Sequence, residues 1–350
     1  MGRHLELYTK NATCKDLSSY LEGLGFKKCV TPSHLPKSSL SYYWFDHEDF
    51  KSFDGVSATI YRLSRDECQT ARNNWVLSLY NRVFASWHDV AMLNSVLKEA
   101  KTRFGGVIKG DYGTNRYATL WEDKSTPISR GISLIYQQVT REMSQIRVAL
   151  PEPYHKYPES NNGKINELQE FNARLDPSRV IYNGLVPFAV SMFEYFFSRA
   201  FRILIKYDEY ALEKRGEEKF QIDFSATVKV VNKERKVVNR EKTVEEIIEM
   251  IAEKYTFQNL EKLNNAYKTW LEIDVKKLLG QQKKLDKSVN LLSEVDEIIS
   301  YRHGIIHHFA IDKSLNKEEY IRKLDVILMS IDEFVLFIEE KYKIEIQRFP

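Results

Sequence analysis

The chain has little cysteine: three residues in 350, at Cys14, Cys29 and Cys68. An odd number at wide spacing builds neither a disulfide framework nor a zinc ribbon, so these read as ordinary thiols of a reducing compartment. Net charge is equally sparse, +3 from 52 basic and 49 acidic residues. That excludes the whole-molecule positive field behind broad nucleic-acid binding, and any such contact has to be local. No apolar leader core follows Met1, and no uninterrupted apolar run reaches the roughly 18 residues of a membrane span, so a cytoplasmic protein with no membrane partner is expected. What is present is ordinary for folded protein. Apolar residues make up 43% and aromatics 13%, enough to exclude disorder, and 350 residues exceed one compact domain, so two cores are expected.

The expected class is α+β, with a small α/β domain over 1–150, a linker over 151–175 and an all-α bundle over 176–350. In the first part His4–Thr9 alternates like a strand and Lys15–Gly23 has helical spacing, with Gly25 just beyond. Ser41–Phe45, Val56–Leu63 and Asn74–Arg82 read as further strands. Ser86 is placed to cap a helix that runs to Phe104, where Gly105 and Gly106 end it before the strand Val107–Lys109. Two strand-helix-strand cycles in tandem predict a ferredoxin-like or related α+β sandwich. Pro127–Ile146 is a further helix, and Pro151–Gly163 collects prolines with Ser, Asn and Gly as linkers do.

Long helices dominate the second part. Leu185–Tyr207 is apolar almost all round, which describes a helix buried on several sides, and Glu194, Arg199 and Arg202 make it too polar for a span. An alternating, β-branched stretch over Phe220–Asn239 predicts an inserted β-hairpin. Its Lys229, Lys233, Arg235 and Lys236 form a basic patch, either a solvated surface or a contact for RNA backbone. Helical patterns resume at Thr243, which with Glu246 spells a capping box, and continue over Gln258–Leu279, Lys287–Phe309 and Asn316–Tyr342. A four- or five-helix bundle follows.

The most chemically suggestive string is Ser300-Tyr301-Arg302-His303-Gly304-Ile305-Ile306-His307-His308. On a helix His303 and His307 share a face, and Arg302 projects about 100° to the side of His303. His308 points elsewhere. A permanently charged guanidinium beside imidazoles that titrate near neutrality suits phosphodiester chemistry without a metal. The His-x-x-x-His spacing also occurs in zinc proteases, but they need a glutamate where this chain has Gly304, and no motif supplies a third ligand; no metal and no other cofactor is expected. In a plainer reading Arg302 pairs with Glu294, Asp296 or Glu297 and the histidines pad the bundle. Against it, the cluster is polar among isoleucines, and Gly304 within a helix costs about 1 kcal/mol relative to alanine. Glu194, an ionisable group in the most apolar helix, needs a partner: Arg302, or else Arg199 or Arg202.

Arg302-His303-Gly-Ile-Ile-His307 resembles the Arg-x4-6-His motif of HEPN domains, including the polar residue that follows the arginine and the position late in a bundle before one last long helix. The resemblance covers about 175–350. It implies a metal-independent endoribonuclease of the kind found in toxin–antitoxin, abortive-infection and CRISPR-associated antiviral defence, working as a homodimer in which two motifs face one cleft. It implies His307 as general base or acid at the ribose 2′-hydroxyl or leaving oxygen, Arg302 on the scissile phosphate and His303 as a hydrogen-bonding helper, with Glu194 in support. The implied partners are RNA, transfer RNA included, and an antitoxin or phage-derived trigger. The implied products are a 2′,3′-cyclic phosphate and a 5′-hydroxyl. The other reading is a catalytically silent helical module that binds a partner protein.

Overall fold

The computed structural model describes residues 2–33, 38–63, 75–154, 171, 175–217, 240–281, 283–284 and 288–348. The chain is α+β, in two compact units that divide between Arg130 and Gly131. Residues 131–150 therefore belong with the helical unit.

The first unit contains β1 (Arg3–Tyr8), α1 (Cys14–Gly23), β2 (Lys27–Cys29), β3 (Leu40–Trp44), β4 (Val56–Arg62), β5 (Trp75–Asn81), α2 (Trp87–Phe104) and β6 (Val107–Gly110). The strands form one antiparallel sheet in the order β2-β3-β4-β5-β1-β6. β5 thus lies between β1 and β4, and β1 lies between β5 and β6, so the two strand-helix-strand cycles interlock. Alternation drives the burial: Leu5 and Leu7 of β1, Val56, Ala58 and Ile60 of β4, and Leu77 and Leu79 of β5 point to one face. There they meet Leu17 and Leu21 of α1 and Val90, Leu93 and Leu97 of α2. The expected cap is present, with the Ser86 hydroxyl accepting from Asp89 N and the Asp89 carboxylate accepting from Ser86 N at 2.9 Å. Gly105 ends α2 at φ 63°, which a glycine adopts without strain. Sequence reading missed β2, whose Lys-Lys-Cys is exposed throughout and carries no alternation to detect.

The second unit holds most of α3 (Pro127–Ala149), then α4 (Pro177–Tyr207), α5 (Glu209–Glu217), α6 (Arg240–Glu253), α7 (Leu260–Leu271), α8 (Val275–Leu279), α9 (Leu291–His308) and α10 (Lys317–Tyr342), with two-residue strands β7 (Lys283–Lys284) and β8 (Ser288–Val289) paired before α9. Its centre is aromatic. Phe193, Phe196, Phe197 and Phe201 of α4 pack with Tyr267 of α7 and Phe334 of α10 at ring separations of 4.5–6.1 Å. Burying one such ring contributes about 1.5–3 kcal/mol. By length and composition α4 could cross a membrane; 44% of its most apolar window is buried among these helices.

Three expectations need correction. α4 begins at Pro177, eight residues ahead of the expected start, and the Asp176 carboxylate before it caps Ser178 N at 2.9 Å. α6 begins at Arg240, so Thr243 is not its N-cap. The helix expected over 258–279 breaks at Glu272, left-handed at φ 54°, and Asp274 caps the short helix that follows. The predicted hairpin at 220–239, with Lys229, Lys233, Arg235 and Lys236, and most of the linker lie outside the described residues.

Candidate active site at the end of the ninth helix

α9 starts where the Asn290 side chain accepts from Leu292 N and Ser293 N, at 3.1 and 3.3 Å. Leu291, Val295, Ile298 and Ile299 bury one side of it. It ends at Phe309, left-handed at φ 51°, with Phe309 N bonded to Ile305 O and Ala310 N to Gly304 O, both at 3.1 Å. The Arg/His string therefore occupies the last two turns, and the two kinds of side chain part there.

Arg302 turns inward. Its side chain is 18% exposed and its Nη1 lies 3.7 Å from Glu194 Oε1 on α4. This partner is the one proposed for Glu194 and none of the three offered for the arginine in the plainer reading. Glu294 instead pairs with Arg322 at 3.1 Å, Arg202 with Glu249 at 2.9 Å, and Arg199 lies over the Tyr195 ring. The Arg302–Glu194 pair is loose: Arg302 Nε and Glu194 Oε1 are both buried without a hydrogen-bond partner. Desolvation raises the Glu194 carboxyl above its ordinary value, and Arg302 pulls it back in part. A buried guanidinium N–H without an acceptor is costly.

His303, His307 and His308 are exposed. The rings of His303 and His307 are 4.3 Å apart, as the i, i+4 spacing requires, and His308 is 6.1 Å from His303. Five helical residues carry His307 about 140° round the axis from Arg302. Within one chain the imidazoles thus face solvent and the guanidinium faces α4. Among the described residues no three His, Cys, Asp or Glu side chains are grouped to hold a metal ion.

Sequence reading missed Asn183. This residue of α4 is 1% exposed, and its carboxamide is fully engaged. The oxygen accepts from the Tyr301 hydroxyl and from Asp312 N at 2.9 Å; the nitrogen donates to Arg179 O at 2.7 Å and Asp312 O at 2.9 Å. It clamps both the turn that carries Arg302 and the chain leaving α9. Burial, with the nearby Asp312, pushes the Tyr301 hydroxyl up to about 12. The available signal is an asparagine at the edge of a long apolar run, two residues ahead of the expected helix start at Leu185.

No protein-family model, curated protein or solved structure matches this chain. A functional reading therefore stands on these residues and their arrangement.

Proposed function

We propose that the chain is a metal-independent endoribonuclease of defence or toxin type, cutting RNA at a site shared by two copies. The observation that carries this is Arg302: a mostly buried guanidinium with one N–H unsatisfied, in the last two turns of a helix that also carries two exposed imidazoles in ring contact. His307 takes the proton from the ribose 2′-hydroxyl or delivers one to the 5′-leaving oxygen. Arg302 stabilises the charge on the phosphorane, and His303 hydrogen-bonds to a phosphate oxygen. Attack by the 2′-oxygen forms a new O–P bond as the 5′ O–P bond breaks, leaving a 2′,3′-cyclic phosphate and a 5′-hydroxyl. Glu194 holds Arg302 until substrate arrives.

A pair of copies answers the 140° between Arg302 and His307, because imidazoles of one chain then supplement the arginine of the other. Exposed apolar residues support it: Ile181 and Phe188 on α4 and Ile306 and Phe309 at the end of α9, with Phe309 80% exposed. Gly184, between Ile181 and Phe188, has nothing within 4 Å of where a Cβ would stand, which leaves room for another backbone. In this reading the helical unit is HEPN-like and the first unit is ferredoxin-like, which the strand order β6-β1-β5-β4 supports, with β3 and β2 added at one edge; the protein acts in the cytoplasm under an antitoxin or a phage-derived trigger, with transfer RNA among its targets.

Purified protein incubated with RNA, with and without EDTA, tests the reading. His307→Ala should abolish cleavage with an unchanged circular dichroism spectrum, and EDTA should leave cleavage intact; full activity in the variant refutes the assignment. The second reading, a silent partner-binding module, draws on the Arg302–Glu194 pair, which can serve structure alone. Bacterial growth arrest by wild type that Arg302→Ala relieves decides for the nuclease.

A further inference from the structure

The face of the N-terminal sheet turned away from α1 and α2 has an ordered composition. Directly opposed residues of antiparallel strands share a face, so the register sorts that face into cross-strand rows. One row runs Lys27, Tyr43, Ser57, Tyr80, His4 across β2, β3, β4, β5 and β1. The next is polar, with Ser41, Thr59, Ser78, Glu6 and Lys109. The third holds Tyr61, Val76, Tyr8 and Val107, with Val76 fully buried and Val107 exposed at the β6 edge.

The first row is open and its rings are held in place. Tyr43 is 38% and Tyr80 40% exposed, with the exposed Ser57 between them. Two glycines make room for the rings. A Cβ on Gly55 would stand 2.8 Å from the Tyr43 hydroxyl, and one on Gly2 would stand 2.5 Å from that of Tyr80. Gly55 is moreover left-handed at φ 69°. The Tyr43 hydroxyl donates to Asp54 O at 2.8 Å. Tyr43 and Tyr80, two strands apart, stand about 9.5 Å from each other at the backbone, and the small Ser57 leaves a slot between them.

We infer that this row is a stacking platform for single-stranded RNA, taking bases against Tyr43 and Tyr80. Base stacking on aromatic rings is the recognised use of an open sheet face in RNA binding, and it tolerates any sequence. The lysines at the two edges of the sheet suit a polyanion. Lys27 and Lys109 are exposed at opposite edges of the sheet, on β2 and β6. The one carboxylate of the three rows, Glu6, has its two oxygens taken by the hydroxyls of Tyr8 and Tyr61, each at 2.8 Å. A tightly packed protein partner would want a contiguous apolar centre, and here the centre is hydroxyls. The platform rests on the ribonuclease reading only for its choice of RNA.

Fluorescence anisotropy on the full chain carrying His307→Ala, titrated into a labelled uridine homopolymer, separates binding from cleavage. Tyr43→Leu and Tyr80→Leu should each weaken binding by about 5- to 150-fold, the usual loss for one stacked base. Tyr43→Phe and Tyr80→Phe keep the ring and should bind within a factor of about two of the parent. A duplex of matched length should bind much more weakly than the single strand. Unchanged affinity in the double leucine variant, equal retention of the duplex, or no binding of the single strand by the parent overturns the platform. None of these results touches the cleavage assignment, which is read from products.

Discussion

Replacing Asn183 by alanine strikes the one carboxamide that joins α4 to both the last turns of α9 and the segment beyond it. Four hydrogen bonds disappear. Two of the groups left behind, the Tyr301 hydroxyl and Asp312 N, lose an acceptor in a partly buried setting, at about 1–3 kcal/mol each. Arg179 O is a helix carbonyl, so the donors lost to it and to Asp312 O add about 1 kcal/mol together. The sum is about 3–7 kcal/mol, a large fraction of the stability of a domain of this size. Urea unfolding should show a lower midpoint at unchanged slope, and hydrogen exchange should show the Asp312 amide losing its protection. Tyr301→Phe removes only one of the four bonds and should cost about 1 kcal/mol, and the double variant should fall short of the sum of the two singles by about that amount. Additive losses, or unchanged exchange at Asp312, would refute the clamp. Because Tyr301 precedes Arg302, cleavage in Asn183→Ala should drop even under conditions where the variant remains folded.

Gly304→Ala places a Cβ in ordinary contact, 3.6 Å from the Ala310 Cβ. It should raise stability by about 1 kcal/mol in urea melts while lowering cleavage, as expected of a glycine kept for close approach by RNA or a second copy. Phe309→Gly relieves a left-handed phenylalanine and should add about 0.5–1 kcal/mol; the same change removes an exposed aromatic, and sedimentation should show weaker self-association. Desolvation holds the Glu194 carboxyl above its ordinary value in the folded state, so the native chain binds its proton more tightly than the unfolded chain. Its ionised form is therefore penalised above the folded pKa, and the penalty fades as pH falls through it. Urea midpoints of wild type and Glu194→Gln, compared from neutrality downward, should show wild type gaining on the variant.

Local rules made much of the fold legible. Alternating apolar residues placed five of the six sheet strands within about two residues, and Ser86 with Gly105 marked both ends of α2, because period-two burial and helix capping are properties of neighbours in the chain. β2 escaped for the same reason: an exposed edge strand of three residues is defined by its pairing with β3 and not by any pattern of its own. The Arg/His string was legible as a cluster on one helix, since spacing alone puts His303 and His307 on a common face. The sequence by itself determined which residues are available for chemistry. Only the tertiary structure decided their surroundings: that Arg302 meets Glu194 and not Glu294, that the imidazoles stay in water, and that Asn183 holds the turn between them. Those contacts span more than 100 residues, and partner choice at that range follows from how α4 and α9 pack, which no local periodicity encodes.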